Sequence, residues 1–274
     1  MDTVIEVTQQ HPARCQRREP QSLRSWSRPI RSGVVGGTLL SAVTLSLLFP
    51  SAAQATATET GATLLSASES AVAHEDSVHV VSFQSGTNVS ANASPNASVT
   101  IVTDAGSSEG IQRVAFTQGG ASGHETVEVV GGEAYFSGDS FTLKNFNGFS
   151  AAAATHYAGA WLEVSPSDAA FTSLTSAVTM STIPAQIVLP KPELLKGEST
   201  VSGIRVKAVR GVVSTHSGTE TGVLYVRSAG SPLPVKLTSF LVHGGHGSDV
   251  FSRWNEAVTV TAPPSSIPFS STGH

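Results

Sequence analysis

The stretch LYVRSAGSPLPVKL, residues 224–237, has the pattern of a β-hairpin. Leu224 and Val226 alternate with Tyr and Arg before a Ser-Ala-Gly-Ser turn, and Val235 and Leu237 alternate in the same way after it. Two prolines follow the turn and lack a backbone N–H, so the second strand cannot be paired from its first residue. The hairpin therefore predicts a sheet with one apolar and one polar face, and the apolar face must cover something.

Similar strand patterns lie on both sides of an alanine-rich middle segment with helical character. The predicted strands are 77–83, 98–103, 111–116, 125–130, 133–136, 200–213, 221–228, 233–243 and 256–264, and Gly131-Gly132 joins the fourth and fifth as a tight hairpin. Helices are predicted near 61–73 and over 168–180, the second with Ser167 as its cap. These elements predict one α+β domain, residues 56–264, in which a long curved antiparallel sheet, a half-open barrel, wraps a few helices. Residues 265–274 are predicted to be a polar tail.

Residues 1–55 are predicted to be an export signal. Residues 1–32 carry six arginines against three acids, and the 17 residues from 33 to 49 carry no charge. Ala53-Gln54-Ala55 has the form of a signal-peptidase site, which predicts a cleaved signal peptide. Because 17 apolar residues lie at the short limit for spanning a bilayer, an uncleaved anchor is the alternative. In both cases the rest of the chain is secreted or held in the cell envelope, outside the cytoplasmic membrane.

The remaining chain is acidic and lacks cysteine. Of the 16 basic and 20 acidic residues, ten and seventeen lie after residue 55, which gives a net charge near −7. This charge argues against nucleic acid as a partner, because phosphate binding needs a basic face. The single cysteine, Cys15, lies in the export segment. The exported part therefore has no disulfide, thiolate nucleophile or cysteine-based metal site.

Two motifs suggest chemistry, and each has a simpler explanation. Gly138-Asp139-Ser140 resembles a serine-hydrolase nucleophile triplet, but no later D-x-x-H supplies a base, so Asp139 or Ser140 is predicted to cap a helix that begins at Phe141. His243, His246 and Asp249 are a conceivable metal set in a glycine-rich turn. We predict no catalytic residues, no metal and no cofactor.

Aromatic residues crowd into the middle of a chain in which aromatics make up only 6% of residues. An ordinary core explains them, and the alternative is a gap between helices and sheet that takes an apolar ligand. Phe171, Leu174 and Val178 share one face of the second predicted helix, at helical spacing. The predicted ligand-contacting residues are Phe141, Phe146, Phe149, Phe171, Leu174 and Val178.

The segments AYFSGDSFTL, AGAWLEVSP and FTSLT resemble the central part of actinobacterial lipoproteins of the LppX/LprG type, which share the Lol-type lipoprotein-carrier fold. TVSGIRVKAVRG, LYVRSAGSPLPVKL and FSRWNEAVTVTAPP resemble their C-terminal third in the same order, so the resemblance covers roughly residues 61–264. It implies a half-open barrel around an apolar cavity that carries acyl chains or other lipid-like molecules.

The chain differs from the better-known members of that family at the signal junction, which reads SAAQAT and has no lipobox cysteine. Attachment to a membrane through a lipid is therefore not expected, and an uncleaved export segment is the only expected membrane link. The first functional hypothesis is an exported, non-enzymatic carrier of lipids or other amphipathic molecules. The second is an exported interaction module with a closed core, which recognises another envelope protein.

Overall fold

The computed structural model describes residues 59–86, 97–215, 218–240 and 245–273, without the side chains of residues 213–215 and 218–220. The predicted export segment, residues 1–55, lies outside these described residues. Among the described residues the helices are α1 (Gly61–Val72), α2 (Ser140–Asn145), α3 (Ala151–Tyr157), α4 (Phe171–Val178) and α5 (Ile183–Gln186), with 3-10 helices at Met180–Thr182 and Phe269–Thr272.

The strands form a single sheet. They are β1 (Ser77–Ser85), β2 (Ser98–Gly106), β3 (Gly110–Gln118), β4 (Ala121–Val130), β5 (Glu133–Gly138), β6 (Leu162–Val164), β7 (Glu193–Leu194), β8 (Ser199–Val201), β9 (Ile204–Thr215), β10 (Gly218–Arg227), β11 (Pro234–Phe240), β12 (His246–Ser252) and β13 (Ile267–Pro268). Their order is β13-β6-β5-β4-β3-β2-β1-β12-β11-β10-β9-β7, and β8 pairs with β9.

Two meanders of neighbouring strands, β1 to β6 and β9 to β12, meet where β1 pairs antiparallel with β12. All strand pairs are antiparallel except β13 with β6. The outermost strands, β13 and β7, lie at opposite ends of the strand order and the sheet is not closed. The predicted α+β class, with a long antiparallel sheet that stays open and carries a few helices, is therefore confirmed.

The local turns follow the sequence. Leu224 pairs with Leu237, and the register shifts between Tyr225 and Val226, so that Val226 faces Pro234. This bulge lets the second strand begin at a proline, as the missing N–H requires. Gly131 and Gly132 have φ of 65° and 87°, the left-handed values that a two-residue hairpin turn needs.

The strand register places the core on one face of the sheet, which we call the inner face. Val80 lies opposite Phe251 on one side and Thr103 on the other. Thr103 lies opposite Gln112, which lies opposite Val127. Because directly paired residues point to the same side of a sheet, these five side chains share the inner face.

The buried apolar residues of the inner face form two separate clusters. Cluster 1 packs α1, Met180 and α5 on β1 and β9 to β12, and cluster 2 packs α2, α3 and α4 on β4 to β6. Cluster 1 contains Leu64, Leu65, Val72, Val78, Val80, Ala105, Met180, Ile183, Ile187, Leu189, Val209, Leu224, Val226, Leu233, Leu237 and Phe251. Cluster 2 contains Val127, Val129, Ala134, Phe136, Leu143, Phe149, Ala154, Leu162, Val164 and Val178.

Three sequence expectations need correction. Residues 256–264 form no strand, because the segment leaves β12 and crosses the opposite, outer face, where Val258 packs beside Gly106. Residues beyond 264 are not a free polar tail, since Ile267 pairs with Leu162 and the Phe269 ring packs edge-on against Phe136. The helix predicted from residue 168 begins at Phe171 without a side-chain cap, because Asp168 instead accepts the Ser165 N–H in a turn.

Candidate functional site

Between the two clusters, the inner-face residues of 99–103 on β2 and 112–116 on β3 form a strip that belongs to neither. We call this strip the seam. Its members are Val99, Ile101 and Thr103 on β2 and Gln112, Val114 and Phe116 on β3, paired as Val99–Phe116, Ile101–Val114 and Thr103–Gln112. Two of the three pairs are apolar, and four residues of strand give the seam a length of about 13 Å.

One end of the seam is closed by the chain that follows α4. Val178 belongs to cluster 2 and Met180 to cluster 1, so residues 178–180 cross from one cluster to the other. The crossing lies directly on β3, because a Cβ at Gly110 would come within 1.9 Å of the Val178 carbonyl oxygen. Gln112 Nε2 donates to Thr103 Oγ1 at 3.0 Å and to the Ala177 carbonyl at 3.1 Å, which ties this polar end to α4.

A carboxyl group borders the seam on the cluster 2 side. Glu125 lies opposite Val114 and is half-buried on the inner face. Burial raises the pKa of Glu125 to about 7, the Asn147 side-chain hydrogen bond lowers it, and the charge of Asp139 raises it further. Asn147 Oδ1 is buried and makes no hydrogen bond within the described part of the chain. This border therefore has a carboxyl group that is partly protonated near neutral pH and a spare acceptor.

A second carboxyl group borders the seam on the cluster 1 side. Asp249 lies opposite Ser82, which lies opposite Ile101. Burial raises the pKa of Asp249, and the hydrogen bond with Ser82 lowers it to a smaller degree. Asp249, Ser82, Ile101, Val114 and Glu125 thus form one transverse row, in which four strand spacings separate the two acids by about 19 Å.

Four of the six predicted ligand-contacting residues lie in or against cluster 2. Phe149 is 4% exposed and Val178 is 0% exposed. The Phe149 ring lies 6.1 Å from the Tyr157 ring, edge to face. Phe171 and Leu174 are half-buried and pack against the same cluster through α4. α4 packs over β2 to β5, and thus over the two strands of the seam as well as over cluster 2.

The other two predicted residues, Phe141 and Phe146, form a separate aromatic group at the opposite end of the seam. The Phe146 ring stacks on the Phe116 ring with centroids 4.0 Å apart, and the Phe141 ring lies 6.0 Å from that of Phe146. Phe146 therefore covers the last apolar pair of the seam. All three rings are half-buried.

The motifs that suggested chemistry have structural roles. Asp139 caps α2, because its Oδ1 accepts the Thr142 N–H at 2.8 Å and its Oδ2 accepts the His124 N–H at 2.6 Å. His246 lies on the outer face against Phe83, with ring centroids 5.4 Å apart, whereas Asp249 lies on the inner face. These two side chains cannot hold one ion, and His243 lies outside the described residues.

Sequence reasoning missed Glu125 and Phe116 and considered Asp249 only as a conceivable metal ligand, although the sequence carries a signal for each. In ETVEVV, Glu125 has the parity of Val127 and Val129, which form the apolar face of β4. In SDVFS, Asp249 is two residues before the buried Phe251 and therefore points to the same side of β12. On β3, Phe116 points to the same side as the buried Val114. An acid at an apolar position of a half-buried strand is the pattern to look for.

The fold and the seam define an α+β protein with an open antiparallel sheet and helices on its inner face. No family model and no curated protein matches the chain. LprF from Mycobacterium bovis is similar in structure, with a TM-score of 0.47 and 14% identity over 73% of this chain and 95% of LprF. The Mycobacterium tuberculosis lipoprotein LppX has a TM-score of 0.45 and 16% identity over 72% of this chain and 98% of LppX. The likeness is one of fold.

Among the described residues, no helix combines the length and the apolar character needed to cross a membrane.

Proposed function

We propose that the protein is an exported, non-enzymatic carrier that binds the apolar part of a lipid or other amphipathic molecule along the seam. The observation that carries the proposal is the separation of one inner face into two clusters. A sheet of this length could bury its apolar residues in a single continuous core, as most domains do. Instead, two helix groups pack on separate clusters, and the apolar strip between these clusters, on β2 and β3, lies under α4.

The lining and borders of the seam suit an amphipathic ligand. The apolar pairs Val99–Phe116 and Ile101–Val114 would contact an acyl chain, and the aromatic group around Phe146 would cover it. Glu125 and Asn147 border this floor, and the free Asn147 Oδ1 would accept a hydrogen bond from a hydroxyl or amide of the ligand. Apolar lining with a few polar groups is typical of small-molecule sites.

A second candidate is an exported interaction module with a closed core. The observation that favours it is that Phe149 and Val178, both predicted to contact ligand, are almost fully buried by their own neighbours. In that case, α4 and Phe146 seal the seam, and the protein acts through its surface on an envelope partner. The two candidates differ in whether α4 lies beside an occupied space or a filled one.

The substitution Leu174→Trp separates the candidates. Leu174 lies on the α4 face that packs against cluster 2, next to the seam. For a carrier, we expect the larger side chain to fill the ligand space, so that a fluorescent acyl lipid no longer binds while the melting temperature is retained. For a closed core, the added volume should lower the free energy of unfolding by about 1–3 kcal/mol. Lipid titration and thermal melting of the same samples measure both quantities.

Thr172→Trp is the matched control. Thr172 is exposed on the same helix, so this substitution places the same ring in solvent. This variant should bind lipid and melt as the wild type does. A folded wild type that takes up no lipid with any of several headgroup classes would overturn the carrier proposal and favour the interaction module.

Export rests on the arginine-rich, apolar and small-residue order of residues 1–55. Cleavage after Ala55 would leave Thr56 as the first residue, which N-terminal sequencing of the exported protein checks. Intact residues 1–55 in a membrane fraction would favour the uncleaved anchor.

A further inference from the structure

The outer face of the sheet holds a second pocket, independent of the seam. Residues 256–261, after β12, cross the outer face of β1 to β4 and enclose a volume of about 440 Å³. We call this space the outer pocket. Its lining carries six charged or titratable side chains within a chain that is poor in charge: His79, Asp104, Arg113, Glu128, Arg253 and Glu256.

The roof of the outer pocket is fixed to the sheet at three points. Ser77 Oγ donates to the Glu256 carbonyl at 2.5 Å, and the Val260 N–H donates to Glu109 Oε2 at 3.4 Å. Between these bonds, the Val258 side chain lies over Gly106, where a Cβ would be 3.4 Å away. The pocket is thus built by the fold and does not arise from a loose surface loop.

At one end of the pocket the charged and titratable side chains contact one another. His79 Nδ1 and Asp104 Oδ1 are 2.6 Å apart, and the His79 side chain is only 16% exposed. The Arg253 guanidinium contacts His79 and donates to Asp104 Oδ1 at 3.3 Å. Arg253 also lies 4.0 Å from Glu256. These four groups therefore have partners among themselves at this end of the pocket.

The other end carries two opposite charges that do not meet. Arg113 lies opposite Thr126, two residues before Glu128, so Arg113 and Glu128 are diagonal neighbours on the outer face. Neither side chain makes a hydrogen bond or an ion pair within 4.0 Å in the described part of the chain. Burial raises the pKa of Glu128, and the charge of Arg113 lowers it to a smaller degree. Both side chains line the outer pocket.

We propose that the outer pocket binds a small zwitterion, with its anionic group on Arg113 and its ammonium group on Glu128. The guanidinium presents paired N–H donors that suit a carboxylate or phosphate, and the carboxylate accepts from an ammonium. A ligand with only one charge would pair with one of these side chains and leave the other without a partner, whereas a zwitterion pairs with both. The required ligand therefore carries both charges, separated by a few ångströms.

The test uses the full chain and three probes of nearly equal size: 4-aminobutyrate, butyrate and butylammonium. We expect 4-aminobutyrate to give saturation-transfer NMR signals with a dissociation constant at least ten-fold lower than those of the two singly charged probes. Equal binding of the three probes, or no binding of 4-aminobutyrate, would overturn the proposal.

Variants locate the site. Arg113→Gln and Glu128→Gln should each abolish the preference for 4-aminobutyrate, and the double exchange Arg113→Glu with Glu128→Arg should restore it. Lys144→Gln, an exposed change on α2, is the control that should leave binding intact. Thermal melting of each variant shows whether the fold survives. A preference that persists in both single variants would overturn the assignment to this pocket.

Zwitterionic headgroups share the chemistry of free zwitterions, so a further arm separates the two sources. Free phosphoethanolamine should bind in competition with 4-aminobutyrate. Binding that appears only with phosphatidylethanolamine vesicles, and not with the free compound, would overturn the assignment to a small soluble ligand.

Discussion

Charged residues on the inner and outer faces of β12 and β1 to β4 lie in opposite environments. On the inner face, Glu125 and Asp249 lie beside apolar side chains, and burial raises the pKa of each. On the outer face, Asp104 lies between His79 and Arg253 in a network of ion pairs. One residue of register separates the two environments, because alternate side chains of a strand point to opposite faces. The same strands therefore carry the proposed site for an apolar ligand on one face and the proposed site for a charged ligand on the other.

The largest expected effect concerns the closed end of the seam, where the inner face admits no side chain. Gly110→Ala would place a Cβ 1.9 Å from the Val178 carbonyl oxygen and 2.9 Å from that of Asp104, and both atoms belong to the backbone. We expect the free energy of unfolding to fall by about 3 kcal/mol, as measured by urea denaturation.

Gly138→Ala is the control, because the closest atom to its added Cβ is the flexible end of Leu143 at 3.4 Å. This variant should lose clearly less stability than Gly110→Ala. Equal stability of the two variants would show that residues 178–180 do not rest on β3.

A middle-sized effect concerns the acid at the edge of the seam. The pKa of Glu125 is raised to about 7, so between its unfolded value of 4.5 and pH 7 the folded state holds a proton that the unfolded state has lost. The stability that proton binding by Glu125 contributes is therefore present at low pH and is lost as the pH rises through 7. Glu125→Gln cannot ionise, and at pH 8 it should be more stable than the wild type by about 2 kcal/mol.

Urea denaturation at pH 5 and pH 8 measures this difference. Glu128→Gln, on the outer face of the same strand, should change the pH dependence less, because that side chain faces Arg113. If Glu125→Gln followed the wild-type curve at both pH values, the inner face would be wetter at this position than the geometry indicates.

The smallest effect is expected on the outer face. Arg253→Gln removes the contacts with Asp104 and Glu256, but the side chain is 49% exposed. Exposed ion pairs contribute about 0.2–1 kcal/mol, and salt screens them. We therefore expect a loss of about 0.5 kcal/mol at low ionic strength, and less at 1 M salt. A loss as large as that of Gly110→Ala would mean that the network anchors the whole segment after β12.

The sequence predicted features that depend on neighbouring residues. The 224–237 hairpin, the Gly131-Gly132 turn and the Asp139 cap are confirmed, because each is set by a few adjacent side chains. The strand predicted at 256–264 is wrong for an informative reason. The alternation of Val258 and Val260 is compatible with a strand that pairs in the sheet and also with an extended segment that only packs across the outer face. Tertiary contacts decide between these two structures.

The candidate site was predictable only in part. The sequence located the α4 face with Phe171, Leu174 and Val178, since helical spacing is local. It could not locate the seam, which exists because β1 pairs with β12 and thereby aligns two clusters on one face. It also did not indicate the outer pocket, whose roof and floor come from segments more than 100 residues apart.

The pairing of β1 with β12 also sets the order in which the molecule is completed. Residues 79–85 pair with residues 246–252. The pairing of β1 therefore requires a strand that lies some 170 residues later in the chain. The hairpins on either side of this junction can form early, since loop closure is easy for short separations, but the junction forms late. Until residue 252 is available, the edges of β1 and β11 stay unpaired. A sheet that is completed only when its last long strand is present would leave the chain unfolded for longer, which suits passage across a membrane. The unpaired strand edges are the places where aggregation would begin.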